Sequence, residues 1–248
     1  IKIALSKAVE DKKLTYESRD ILLGNMTNEV AELVLQDNFL QNQSISITEK
    51  QGISLIEAQS RLANILEKEG VLDRKLENIP TNQDFRKMSN SGQSLTRPEL
   101  SVLMAYSKLS IYNNLIKSNL PNDPYFTDEL IQYFPKELRK KFNDEIINHP
   151  LSREIIATMV TNSTVNRVGS SFFHLSMEDT GLNGCDIARA YTACRDLFDL
   201  KSLWAQIELL EGKINHDTLL SLYIEIKKLI QRITSWFLRN MPQPLDMA

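Results

Sequence analysis

The clearest apolar pattern in the chain lies near its end, where Leu219, Tyr223, Ile226, Ile230, Ile233 and Phe237 recur at alternating intervals of four and three. That spacing marks one face of a helix, and Leu222, Leu229 and Trp236 widen the stripe. It predicts a long helix packed into a bundle core, with a coiled-coil seam as the alternative. Upstream, Ser54 with Glu57 has capping-box spacing, and the helix it would open should stop at Gly70, where a positive φ is needed. Thr96 with Glu99 repeats the box with Pro98 in the first turn, and that helix should reach about Ser118, before Pro121. Thr15 and Thr27 read as further N-caps, the first leading to a stop at Gly24.

Strand signals are thin. The alternating stretch Ser44 to Thr48 is short and has no partner, so it reads as a connecting segment. The polar stretch Thr81 to Gln93, with Asn-Ser-Gly inside it, reads as a linker, and Pro121 to Pro124 as a turn. The expected fold is all-α, a multi-helix bundle-like architecture without significant sheet, in two helical subdomains spanning residues 1–90 and 91–248.

Composition narrows the function classes. Only 8 of 248 residues are glycine, roughly half the usual share of about 7%, whereas nucleotide-binding α/β folds use glycines in their phosphate-binding turns. A net charge of −3 without a basic stripe argues against nucleic acid as the main partner. The cluster Lys136 to Lys141 reads as a solvated helix face. Charges interrupt every apolar run, so no membrane span is expected. Cys185 and Cys194 lie nine apart in one expected helix and read as reduced structural thiols of a cytoplasmic compartment. The chain opens at Ile1, without an initiator Met, inside a helical pattern, which suggests a piece of a longer protein.

No Gly-x-Gly-x-x-Gly, P-loop or Gly-x-Ser-x-Gly string is present. His149, His174 and His216 lack ligand-spaced partners, and His149 and His216 read as surface or capping residues. The most unusual region runs from Arg153 to Arg195. The stripe Ile156, Met159, Val160 continues into Ser163 and Arg167, with Asn162 and Asn166 one turn apart on its flank. A packing face that turns polar needs polar partners, and Glu178, Asp186, Arg189 and Arg195 are the candidates. These seven residues (Asn162, Asn166, Arg167, Glu178, Asp186, Arg189 and Arg195) form a candidate polar network or effector site. In the structural reading, Arg167 faces the negative end of its own helix, Asn183 caps the next one with Asp186, and Arg189 pairs with Asp186. No catalytic, cofactor-binding or metal-ligating residue is assigned.

Several strings together carry a resemblance. Leu95 to Lys108 (LTRPELSVLMAYSK), Met26 to Ala31, Arg153 to Thr158, Val165 to Arg167, Asp186 to Tyr191 and Trp236 to Asn240 resemble, in the same order, segments of the large bacterial NAD-specific glutamate dehydrogenases. Ile1 to Ile3 looks like the end of the stretch that closes their catalytic domain. The resemblance implies a full-length enzyme that oxidatively deaminates L-glutamate to 2-oxoglutarate and ammonium with NAD⁺. The family's catalytic lysine and aspartate have no matching position here, so the resemblance implies a non-catalytic C-terminal helical region. That region would serve assembly, positioning or regulation, with the upstream catalytic domain and a homo-oligomer as partners and no cofactor of its own. An effector-sensing module and a helical interaction domain are the alternatives. His149 to Ser152 has fewer arginines than the family pattern and Val168 to Phe172 is looser, which argues against a phosphate or nucleotide role at that helix entrance.

Overall fold

The computed structural model describes residues 1–247, and each of them lies in an α-helix, a short 3-10 turn or a connection. In chain order the helices are α1 (Lys2–Glu10), α2 (Tyr16–Asn25), α3 (Thr27–Gln51), α4 (Ile56–Lys68), α5 (Asn82–Ser91), α6 (Arg97–Lys117) and α7 (Thr127–Gln132). They continue with α8 (Lys136–Lys141), α9 (Asn143–Ile147), α10 (Ser152–Val168), α11 (Phe172–Thr180), α12 (Gly184–Leu197), α13 (Leu200–Glu208) and α14 (His216–Asn240). The all-α expectation holds.

Local chemistry sets most of these ends. Thr15 accepts the Ser18 N–H at 3.1 Å, and Asn183 accepts that of Asp186 at 3.1 Å. At α6 the Thr96 N–H donates to Glu99 Oε2 at 2.7 Å. Gly70, just past α4, takes φ +70° as its stop position requires. His216 opens α14, which Asn215 caps, while His149 is buried against Phe134 and accepts the Leu151 N–H at 3.1 Å.

Four local expectations fail. Ser54 does not cap α4: it lies in a 3-10 turn after α3, and its hydroxyl donates back to the Gln51 carbonyl at 2.7 Å. Thr27 lies inside α3 and donates to the Leu23 carbonyl at 3.2 Å, while α2 runs through Gly24 to Asn25. The alternating stretch Ser44 to Thr48 is helical, and its end hydroxyls bond to carbonyls: Thr48 to Ser44 within α3 at 2.8 Å, and Ser44 to Val165 on α10 at 3.3 Å. The expected linker is α5. It has a Thr81–Asp84 capping box, Gly92 at φ +71° behind it and one buried anchor, Phe85. Its polarity reflects exposure.

Three apolar clusters hold the helices together. The largest gathers Leu5, Met26, Ile111, Leu115, Phe126, Phe134, Ile146, Val160 and Ile187 around α10. A second joins Trp204, Leu219, Tyr223 and Ile230 beneath α14, and a third joins α4, Phe85 and the start of α6. α14 is a bundle helix, with Leu219, Tyr223, Ile226 and Ile230 buried and the widening residues Leu222, Leu229 and Trp236 exposed. α10 packs on α3, α6, α7, α11, α12 and α14, so it is buried on most sides. α12 is buried from Gly184 to Thr192. Its first residue allows the closest approach: a Cβ at Gly184 would lie 2.5 Å from Asn114 Oδ1 and 2.7 Å from Phe173 Cζ.

Candidate functional site

Because α10 and α12 are enclosed, a charged side chain between them is costly unless it is paired inside the protein. Arg195 is 2% exposed and grips Asp196 with two bonds, Nε–Oδ1 at 2.7 Å and Nη2–Oδ2 at 2.9 Å. Its Nη2 also donates to Glu129 of α7 at 2.7 Å, and Lys201 reaches the same carboxylate oxygen at 3.2 Å. Nη1 donates to Ser163 Oγ at 3.3 Å, beside the fully buried Tyr191, whose hydroxyl donates to the Ser163 carbonyl at 2.9 Å. The chain of contacts extends outward. Tyr125 donates to Asp196 at 3.1 Å and gives its N–H to Asp123, which in turn holds Arg189 at 3.0 Å.

The network therefore unites two of the seven candidates, Arg189 and Arg195, six residues apart on α12. Arg167 enters a neighbouring cluster: it bonds Glu208 at 2.9 Å and stacks 4.5 Å above the Trp204 ring. The expectation that it faces its own helix end is replaced by these contacts with α13. Arg189 likewise pairs with Asp123 instead of Asp186, because the 3-10 turn before α7 brings a carboxylate closer to its fork. Glu178 points away and binds Arg61 of α4 at 2.7 Å. Asn166 is buried with Oδ1 unpartnered, Asn162 is half-buried, and Asp186 is buried at the start of α12. Sequence reasoning missed Asp123, Glu129, Tyr191, Asp196, Trp204 and Glu208. The one available signal was the Pro-Asn-Asp-Pro turn, which offers an Asp beside a helix start.

The electrostatics follow from enclosure. Burial works against the charged form of Arg195, yet the Asp196 bond and the Glu129 charge overcome it and hold the guanidinium above its ordinary range. Burial alone would raise Asp196; the Arg195 bond outweighs it and keeps that carboxyl low. Tyr191 is pushed up by burial.

A second relay runs from the buried His174 Nε2 through Ser110 Oγ to Glu69 Oε2 at the surface, at 2.8 and 2.6 Å. Ser110 gives its proton to Glu69, so its bond with the imidazole requires His174 Nε2 to be the donor. Burial pushes His174 down to about 4, so it stays neutral near pH 7. This order is the reverse of an activated serine, whose proton faces the imidazole. No group of three or more His, Cys, Asp or Glu residues with metal-binding geometry occurs among the described residues.

Residues 92–248 match the family model described as glutamate dehydrogenase, C-terminal, and residues 1–48 match that of the bacterial NAD-glutamate dehydrogenase catalytic domain. The chain belongs to the glutamate dehydrogenase C-terminal family. It is 39% identical over its whole length to an NAD-specific glutamate dehydrogenase of Pseudomonas aeruginosa. It is 38% identical over 97% of its length to that of Halomonas elongata, and 34% over its whole length to that of Mycobacterium tuberculosis. In each case the chain spans 15% of the relative's length. The resemblance read from the ordered strings is thus correct. Those strings occupy structural positions in this family member: Thr96 and Glu99 form the box of α6, and Arg153 bonds the Ile116 and Ser118 carbonyls at its other end, at 2.8 and 3.1 Å. NAD does not fit a strand–turn–helix cradle here. Among the described residues the positive-φ glycines end helices or lie in helix connections, and none links a strand to a helix.

Proposed function

We propose that this chain is the C-terminal helical part of an NAD-dependent glutamate dehydrogenase, which converts L-glutamate, NAD⁺ and water to 2-oxoglutarate, ammonium and NADH. The match of residues 92–248 to the C-terminal family model carries the reading. On this proposal the chain supplies no reacting group and instead positions the catalytic part, supports a homo-oligomer or transmits regulation. The α10–α12 residues form a structural polar network, a reading supported by arginines already engaged by Glu129, Asp196, Asp123 and Glu208. Val34 and Leu35 on α3, 62% and 66% exposed, lie within the stretch matching the catalytic-domain model and supply an apolar contact for it.

The division into residues 1–90 and 91–248 is proposed on the same footing, supported by the C-terminal match that begins at residue 92. The two parts share a core, since Ile56, Leu62 and Phe85 pack with Leu100 and Leu103. A cytoplasmic location is proposed from the family; no helix among the described residues is long and apolar enough to cross a membrane.

The test is glutamate-dependent NADH formation by the full-length enzyme, by the enzyme lacking this region and by this chain alone. The expected result is activity in the first, reduced activity or altered assembly in the second and none in the third. Turnover by the chain alone would overturn the assignment of roles. In the full-length enzyme, the paired substitution Val34→Glu and Leu35→Glu should weaken activity or assembly while leaving the melting of the isolated chain unchanged.

A further inference from the structure

On a face that shares no residue with the α10–α12 network, α4, α11 and α14 enclose an open cleft of about 670 Å³, within the range of roughly 300–1,000 Å³ typical of small-ligand sites. Leu55, Ala58, Phe172 and Leu175 form its apolar wall, and α14 lines it with Lys228, Arg232, Trp236 and Arg239. Of the string Trp236 to Asn240, one of those resembling the family, Leu238 is buried in the core while Trp236, Arg239 and Asn240 line this cleft.

The charges in this cleft are unbalanced. Asp179 is its one carboxylate, and Arg61 already holds it at 2.7 Å. Lys228 is held by Glu225 at 2.8 Å, and the same carboxylate feels a weaker pull from Arg232. Among the described residues neither Arg232 nor Arg239 makes a hydrogen bond or an ion pair. The two guanidinium groups stand two turns apart on one face of α14, about 10 Å along the axis, with Trp236 between them and 55% exposed. The N-terminus of α11 borders the same space. Its cap residue Ser171 makes no side-chain bond to the first turn, and Ser171 and Phe172 both line the cleft. Free guanidinium groups and an uncapped helix N-terminus favour anionic oxygens, while an exposed indole favours a flat ring.

We propose that this cleft binds a nucleoside polyphosphate, with phosphates between Arg232, Arg239 and the α11 N-terminus and the base on Trp236; the positive charge comes from α14 and not from Val168 to Phe172, which reverses the expectation against a nucleotide role at that entrance. The inference rests on the cleft itself and stands apart from the dehydrogenase reading. It is tested by titrating the chain with ATP at low ionic strength, where exposed charges are least screened. Emission from Trp236 reports binding, since Trp204 is buried. A saturable change with half-saturation below about 1 mM is expected, with tripolyphosphate competing and adenosine silent. The double variant Arg232→Gln, Arg239→Gln should weaken binding at least about tenfold. Its melting temperature should be unchanged, because neither side chain holds the fold. By calorimetry, Trp236→Ala should weaken ATP but leave tripolyphosphate unaffected. No saturation by about 10 mM, equal binding by the double variant, or adenosine matching ATP would each overturn the proposal.

Discussion

Lys227 lies on α14 with its side chain 6% exposed, and its ammonium finds one partner, Gln51 Oε1 at 2.7 Å. It fills the space over Gly169, where a Cβ would come within 3.0 Å of Nζ. Burial pushes its pKa from 10.5 down to about 8. A tenfold change in proton affinity is worth about 1.4 kcal/mol, so the charged form opposes folding by about 3 kcal/mol wherever both states are protonated. That cost is present below about pH 8. Between about 8 and 10.5 the folded state releases the proton first, so stability rises with pH, and above 10.5 the cost is gone. Lys227→Met keeps much of the volume and removes the charge, while the lost Gln51 bond returns about 1 kcal/mol. The variant should therefore be more stable than the wild type by about 2 kcal/mol at pH 7, and the difference should vanish and reverse sign as pH rises. The assay is urea unfolding followed by far-ultraviolet ellipticity at several pH values, with the m-value held common. The Cys194 thiol, pushed up to about 11 by burial, acts in the opposite sense in both proteins and cancels in the difference. A difference that does not change from pH 7 to 10.5, or a variant less stable at pH 7, refutes the reasoning.

Other substitutions test the packing and the network. Gly184→Ala forces a methyl against Asn114 and Phe173 and should lower stability by about 1–3 kcal/mol in the same assay. Glu129→Gln takes one of two carboxylates from Arg195 and should cost about 2–4 kcal/mol, less than full loss of a buried pair because Asp196 remains. Asn166→Ala removes a carbonyl that has no partner, so stability should shift by under about 1 kcal/mol and activity of the full-length enzyme should not change. Lost activity with unchanged melting would instead identify an effector site. The core shared across residue 90 predicts a single cooperative melting transition; two separate transitions would show independent parts.

Helices with strong local signals were legible from the chain. The stripe on α14, the Thr15 and Asn183 caps, the Thr96–Glu99 box and Gly70 each depend on residues within a few positions of one another. Where local signals competed, sequence reasoning failed. Ser54 has the spacing of a capping box, yet the 3-10 turn after Gly52 redirects its hydroxyl. The polar run from Thr81 resembles a linker because a helix held by one buried Phe85 is polar along most of its length.

The sequence alone determined the fold class, the family and the concentration of buried polar groups between Arg153 and Arg195, because these follow from composition, ordered strings and helical periodicity. It could not determine which partners those groups meet. Asp123 for Arg189, Glu129 for Arg195 and Glu208 for Arg167 lie 41 to 66 positions away and are chosen by how the helices cross. The cleft of Arg232, Trp236 and Arg239 likewise exists only because α4 and α11 stand beside α14 without supplying a free carboxylate. Helical spacing is a local property of the backbone, whereas charge pairing across helices depends on packing between residues far apart in the chain.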